Sequence, residues 1–411
     1  MSLFTSSQFA ATCAHGSDWR EVSKTVLEAL EDVRTSDADF NFGFLYISDH
    51  LNEHAESILN LFKSVLRIEN WVGANSIGVF GCDQVHVDKP AISAMIGRFD
   101  EDAFHVFEPF REEKAGHDEI LKAWLNANDP MLVLAHGDPL SEEDPALLSQ
   151  DIAKKIPGFL IGGMSSSRQA QIQIADDLHE NGMCGVAFSD RVKVASTLSQ
   201  GCAPIGEMHT ITKSEERTIY ELDERKAVEV FEDDLRDMAI SKVGKDPSAI
   251  IVDPLDIENA EDMPIEFQSL MKGDVHVAFP ISESDQGDYL VRNIAGLDSE
   301  EGSIDVGQFL SNGERMMFVH RDEASIREDL SKSLLKLRKR VINDEGDFQP
   351  KGAVYISCAG RAGAQFSSED QNEIALIREI IGDIPLCGFY AGGEILNARI
   401  YGYTGILTLF L

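Results

Sequence analysis

Long apolar runs and basic residues are both scarce in this 411-residue sequence. No stretch approaches the roughly 18 apolar residues of a membrane helix. The N-terminus has neither the basic n-region nor the apolar h-region of a signal peptide, so a cytoplasmic protein without a membrane partner is expected. Only 36 Lys and Arg stand against 71 Asp and Glu, a net charge of −35. Such a surface repels phosphate backbones and anionic lipid, which argues against nucleic acid as a partner. Cysteine is sparse as well. Cys13, Cys82, Cys184, Cys202, Cys358 and Cys387 lie far apart, with no CxxC pair and no zinc spacing, so reduced, buried thiols are expected. Phosphate loops are missing, with no GxGxxG and no GxxxxGK[ST], and there is no GxSxG elbow. The eleven histidines form no HExxH or HxH, so no metal is expected. His50 and His54 share a helix face, a pattern more typical of a solvated helix start. Ser165, Ser166 and Ser167 have His179 as the nearest histidine in sequence, and no base for them is evident. A catalytic constellation cannot be assembled, and an enzyme is not expected.

What is present is an ordinary globular balance, 43% hydrophobic and 26% charged, in a length that suggests two or three domains. A helix is expected from a Ser17 or Asp18 cap to about Val33. A strand–helix–strand pattern then recurs three times. The first copy is the strand Phe42–Ser48, the apolar helical spacing Leu51, Ala55, Ile58, Leu59, Phe62 and Leu66, and a strand from Trp71 to Gly78. The second is Met131–Ala135, a helix over Glu143–Lys155, and a strand into Gly162-Gly163. The third is Ala353–Cys358, a helix over Ser367–Ile381, and a strand into Gly392-Gly393. The last two copies share a serine-rich acidic helix entry (Ser141–Asp144; Ser367–Asp370), an Ile-Pro step and a closing Gly-Gly, which reads as an internal repeat. Between the copies lie strand-rich stretches, among them Cys184–Phe188, Met208–Thr212, Arg217–Leu222, Val275–Ile281 and Met316–Val319, and an amphipathic helix over Ser325–Arg340. The stretch from Val243 to Asp262 is rich in Asp, Pro and Lys, with one apolar run, Ile250–Val252. The fold class expected is α/β: two α/β modules, 1–225 and 226–411, with repeated strand–helix–strand units and mixed sheets. No separate output module is legible.

Chemistry concentrates in the C-terminal quarter. Ser357-Cys358-Ala359-Gly360-Arg361 follows a buried strand, where α/β sheets bind ligands. Arginine offers a bidentate grip on a carboxylate or phosphate. Tyr390, Gly392, Gly393 and Glu394 reach an equivalent strand end, and Tyr403-Thr404 precedes the last strand. With Gly163 and Ser165 these make a candidate polar ligand site, expected between the two modules. The competing possibility is a structural Arg361–Glu394 ion pair with packed tyrosines.

Two blocks resemble the FIST family, named for F-box and intracellular signal transduction proteins. The first is Gly162-Gly163 with its serines, Ser199–Gly206, Thr210-Ile211-Thr212 and Glu221-Leu222-Asp223. The second is Ser357–Arg361, Pro385–Tyr390, Gly393-Glu394 and Tyr403-Thr404. Together they span nearly the whole chain. The resemblance implies a sensory, ligand-binding role, with amino acids or other small anionic or zwitterionic metabolites as candidate ligands. Some similar proteins are haem-based sensors of gases such as nitric oxide. Here Tyr401-Gly402-Tyr403 stands where an Asn near the glycine and a histidine are expected, which weakens an axial-histidine reading. Eukaryotic relatives carry an F-box, and none is visible in this sequence. The reading at this stage is a cofactor-free receptor that signals through another protein or a second copy of itself. Its alternatives are a haem-based sensor and an enzyme acting on a small metabolite.

Overall fold

The structure is a computed structural model. It describes residues 2–34, 39–110, 119–243, 274–281, 288–362 and 372–411. The apolar run Ile250–Val252, most of the stretch around it, and the helix entry Ser367–Asp370 lie outside the described residues. Two compact units divide the chain: unit 1 is Met1–Gln200 with Leu330–Leu411, and unit 2 is Gly201–Asp329. Unit 1 draws on both ends of the chain.

Unit 1 is one pattern written three times. The first copy, after a short strand β1 (Leu3–Thr5), runs β2 (Phe9–His15), α1 (Trp19–Arg34), β3 (Phe42–Ser48), α2 (Ala55–Leu66), β4 (Asn70–Ser76), β5 (Gly78–Gly81), β6 (Gln84–Val87) and β7 (Ala91–Gly97). The second runs β8 (Phe104–Phe110), α3 (Glu119–Ala127), β9 (Pro130–Gly137), α4 (Pro145–Lys155), β10 (Phe159–Met164), β11 (Gln173–Ala175), β12 (Asp177–His179) and β13 (Met183–Ser189). The third opens with β14 (Val194–Ser199). The chain then builds unit 2 from β15 (Ala203–Glu215), β16 (Thr218–Leu222), β17 (Arg225–Lys226), α5 (Ala227–Val243), β18 (Asp274–Pro280), β19 (Tyr289–Asp298), β20 (Ser303–Val306) and β21 (Arg315–Arg321). The third copy resumes with α6 (Glu323–Glu345), β22 (Gly352–Cys358), α7 (Glu373–Ile381), β23 (Leu386–Ala391), β24 (Glu394–Leu396), β25 (Arg399–Tyr401) and β26 (Gly405–Phe410).

Each copy contributes one parallel pair, β3 with β4, β9 with β10, and β22 with β23. Parallel neighbours need a crossover, and a helix supplies it in each case. The hairpin that follows each pair is given away. β5–β6 joins β23, β11–β12 joins β4, and β24–β25 joins β10. Three sheets of matching order result, β2-β7-β3-β4-β11-β12, β8-β13-β9-β10-β24-β25 and β14-β26-β22-β23-β5-β6, with β1 added at the edge of the first. The exchange is cyclic, so each repeat completes the sheet of another.

Glycine fixes the equivalence. A Cβ on Gly73, Gly162 or Gly388 would come within 1.8–1.9 Å of the carbonyl oxygen of Leu45, Ala135 or Tyr355, its partner in the parallel pair. Gly162 therefore corresponds to Gly388, and the Gly162-Gly163 and Gly392-Gly393 pairs matched in the sequence are not equivalent positions. One step further along, Tyr46, His136 and Ile356 correspond, as do their neighbours Ala74, Gly163 and Phe389. Beside these on the exchanged strands stand Gln173, Glu394 and Val79. Tyr46 stacks on Phe389 at 4.8 Å, and His136 lies 5.7 Å from the same ring.

Local signals place the helices. Asp18 accepts from the N–H groups of Arg20 and Glu21, and Glu21 reaches back to Ser17, a reciprocal cap for α1. Asp144 caps α4 ahead of Pro145, and Asn372 caps α7. The strand expected over Trp71–Gly78 is broken at Ile77, where the chain passes from one sheet to another. Apolar faces of α1 and α2 cover one sheet through Val22, Val26, Leu30, Ile58 and Phe62. α6 and α7 cover another through Leu330, Leu334, Leu337, Ile374 and Ile377. Unit 2 pairs its strands antiparallel throughout the described residues. α5 packs Ala227, Val230 and Phe231 onto them. All six cysteines are buried and none forms a disulfide among the described residues. No helix among the described residues is long and apolar enough to cross a membrane.

Candidate functional site

All ten residues singled out in the sequence fall in unit 1. The structure gathers four of them into one buried cluster. β22 ends at Cys358, and a single 3-10 turn, Ala359–Arg361, folds the chain back. Arg361 is fully buried. Its carboxylate partner is Glu373, at 2.8 Å from Nη2. The competing Arg361–Glu394 pair is thus not the direct one. Glu373 opens α7, where a negative charge suits the helix dipole. It also accepts from Tyr355 Oη and Ser357 Oγ, each at 2.7 Å. Those two residues stand two apart on β22 and so share one face. Arg361 further donates to the Ser199 carbonyl at 3.2 Å and to Ser199 Oγ at 3.4 Å. Gly405 leaves the room: a Cβ there would sit 2.4 Å from Tyr355 Oη and 2.9 Å from Arg361 Nη1. Burial works against the guanidinium charge, but Glu373, Tyr355, Cys358 and Glu394 outweigh it, and its pKa rises.

Glu394 heads the exchanged strand β24 opposite Gly163 and is also fully buried. Oε2 accepts from the Thr404 backbone N–H at 3.0 Å and from Thr404 Oγ1 at 2.7 Å. Tyr403 sits just before, in the left-handed region at φ 64°, where a non-glycine residue is uncommon. The Thr404 carbonyl accepts from the Cys358 N–H at 2.9 Å, so the turn is tied to the end of β22. Burial raises the Glu394 carboxyl to about 7, against the opposing hydrogen bonds of Thr404, the charge of Arg361 and the Cys358 thiol. Burial, with Glu394 next, pushes that thiol up to about 12. Glu394 Oε1 and Arg361 Nε have no hydrogen-bond partner among the described residues. An unpaired buried polar atom is costly, and each such atom in a native structure asks for an explanation.

The remaining sequence candidates frame the cluster or lie beside it. Gly393 and Gly392 exchange backbone hydrogen bonds with Met164, at 2.8 and 2.9 Å. A Cβ on Gly392 would stand 2.8 Å from the Ser165 carbonyl. Tyr390 packs edge-on against Phe80 at 5.0 Å, and its carbonyl accepts from Ser76 and Ser166. Ser165 belongs to a separate network, donating to the Ile172 carbonyl at 3.2 Å and accepting from Gln173 at 2.9 Å. His179 bonds the Ala175 carbonyl, so no serine of the 165–167 run has it as a base. Sequence reading missed Glu373. Its one signal was an acidic residue directly after an Asn cap, a position usually exposed.

Several described histidines have assigned partners. His136 is fully buried, bonds Tyr46 Oη at 3.2 Å and is packed by Phe389. His209 has both ring nitrogens on carboxylates, at 2.7 Å from Asp223 and 2.9 Å from Asp234. His54 packs at a tilt against Trp19, while His50 faces Asp49 and Asp88, so the i, i+4 pair does not converge.

Two domain families match this chain, the FIST N domain over residues 41–225 and the FIST C domain over residues 227–397. Among curated proteins it is similar to Uncharacterized protein Rv0628c of Mycobacterium tuberculosis, 29% identical over 277 residues, 64% of each chain. It is similar also to Uncharacterized protein Mb0898c of Mycobacterium bovis, 29% identical over 261 residues, 62% of this chain and 60% of that one. The alignments thus span less than two thirds of these relatives.

Proposed function

This chain belongs to the FIST family of sensory domains, and from that premise we propose that it is a receptor for a small metabolite in signal transduction. The ligand site is the cluster of Cys358, Arg361, Glu394 and Thr404, and the ligand is an amino acid or similar small zwitterion. One observation carries this reading. Two buried polar atoms of opposite character, the donor Arg361 Nε and the acceptor Glu394 Oε1, stand at one strand end without a partner among the described residues. Buried polar groups are normally satisfied, and a ligand bearing both an acceptor and a donor would satisfy both. The reading is of a receptor and not an enzyme, since burial holds the Cys358 thiol neutral and the hydrogen bonds that Ser165, Ser166 and Ser167 make among the described residues go to no base. It is a cofactor-free, cytoplasmic protein that passes its signal to a partner protein or a second copy of itself.

A thermal-shift screen against amino acids, organic acids and nucleotides tests the reading. A ligand at 100 times its Kd stabilises the native state by about 2.7 kcal/mol. The shift should vanish in Thr404→Val, which removes the hydroxyl that orients Glu394. Absence of any shift across the screen counts against the site. A Soret band in the visible spectrum of the purified protein would favour the haem reading instead.

A further inference from the structure

We propose that the site selects its ligand by the cationic end: it takes a primary ammonium group on Glu394 and does not grip a carboxylate with Arg361. This rests on the receptor reading above and names the chemistry of the same site.

The charges decide it. Arg361 is the cation on which a ligand carboxylate was expected to sit, but Glu373 already lies 2.8 Å from it. The two charges cancel, and Nη1 and Nη2 both point at Ser199 as well. The charge of Arg361 is therefore taken up in holding the turn after β22, and its Nε is left a single hydrogen bond that a neutral carbonyl can accept. What remains is Glu394, whose ionised carboxylate can only accept hydrogen bonds. Thr404 fills Oε2 twice, and Oε1 has no hydrogen-bond partner among the described residues. Cys358 adds no charge while its thiol is neutral. A second carboxylate brought here would meet Glu394 in a buried setting, where like charges repel strongly. An ammonium supplies the missing donor and the missing charge together.

Proton balance adds a signature. With Glu394 near 7, a share of the free protein carries a protonated carboxyl at neutral pH. An ammonium binds the carboxylate form, so that proton leaves to solvent. Apparent affinity scales with the competent fraction, so between pH 8 and pH 6 it should fall by about tenfold for an amine that stays protonated.

The test uses three matched sets by thermal shift on the full chain: the free amino acids, their amides, in which the carboxylate is capped, and their N-acetyl forms, in which the amine is blocked. Expected is a shift with at least one free amino acid, retained by its amide and abolished by N-acetylation. Glu394→Gln should lose the amide shift while still folding, since the amide is isosteric. Calorimetry of the binding amide in two buffers of different ionisation heat should show proton release near pH 7, a readout a merely structural Glu394 would not move. N-acetyl forms that bind while amides do not overturn the ammonium assignment and leave the receptor reading standing. Free amino acids that bind while both derivatives fail do the same. No shift from any set, or from other metabolites, overturns both.

Discussion

Two strand ends of unit 1 carry an arginine against a carboxylate, and they are built oppositely. At the end of β3, Asp49 is nearly fully buried, 2% exposed, and Arg168 reaches it from the loop after β10 with its side chain 52% exposed. Asp49 accepts from the Arg168 backbone N–H at 3.0 Å and from Nε and Nη2 at 2.8 Å, and Asp88 takes the remaining nitrogen. Against the cost of burial, those bonds hold the Asp49 carboxyl below its usual range. Around the end of β22, Arg361 and Glu373 are both buried, and Arg361 Nε and Glu394 Oε1 have no hydrogen-bond partner among the described residues. The same contrast appears at equivalent positions of the exchanged strands. Gln173 is neutral, Glu394 is ionisable with a raised pKa, and Val79 is apolar. The repeat supplies the same exchanged-strand position three times over and fills it differently each time. Only the third copy places an ionisable group there, buried and with a raised pKa.

The largest effect should come from splitting the buried pair. Glu373→Ala leaves Arg361 charged and unpaired in the core, and breaking such a pair costs about 3–5 kcal/mol. Denaturant unfolding should record it, and a loss under 1 kcal/mol would show the pair to be more solvated than its geometry implies. Next is Glu394→Gln, which should stabilise the protein. A carboxyl whose folded pKa lies above its unfolded value makes stability fall as pH rises, here from about 4.5 to about 7. The variant should therefore match the parent at pH 4 and exceed it at pH 8 by up to about 3 kcal/mol. A parallel pair of pH–stability curves would contradict this.

Arg168→Ala should be milder, about 1 kcal/mol, because the side chain is half in solvent and its backbone N–H keeps donating to Asp49. If it matched Glu373→Ala, the contrast between the two strand ends would fail. The smallest effect concerns unit 2. Asp234 raises the His209 pKa first, burial opposes, and Asp223 adds to the rise. Both nitrogens can donate only in the imidazolium, so its stabilisation is full below pH 6.5 and fades as pH climbs through the raised folded value. His209→Gln should flatten that alkaline loss, and NMR of the imidazole should place its titration above pH 6.5.

Periodicity made much of unit 1 legible. The helix from Ser17, the strand at Phe42–Ser48, the helix of α2 and the strand into Cys358 all follow from apolar spacing and caps, which are local. The break at Ile77 was not legible, because an apolar run reads alike whether it stays in one sheet or crosses to the next. Nor was the true repeat alignment. Gly162 and Gly392 look alike in sequence, but Gly162 and Gly388 share the close approach of a neighbouring carbonyl.

The same division holds at the site. The sequence by itself determined which residue types meet strand ends: Cys358 and Arg361 after β22, Glu394 after the glycines, Thr404 before β26. Composition also determined its acidic and cysteine-poor character. Tertiary structure alone decided the partners. Glu373 reaches Arg361 because α7 returns across β22, and Glu394 lies in another repeat's sheet because β24 is exchanged. Ion pairing and pKa depend on distance and burial in space, and neither is written in sequence separation.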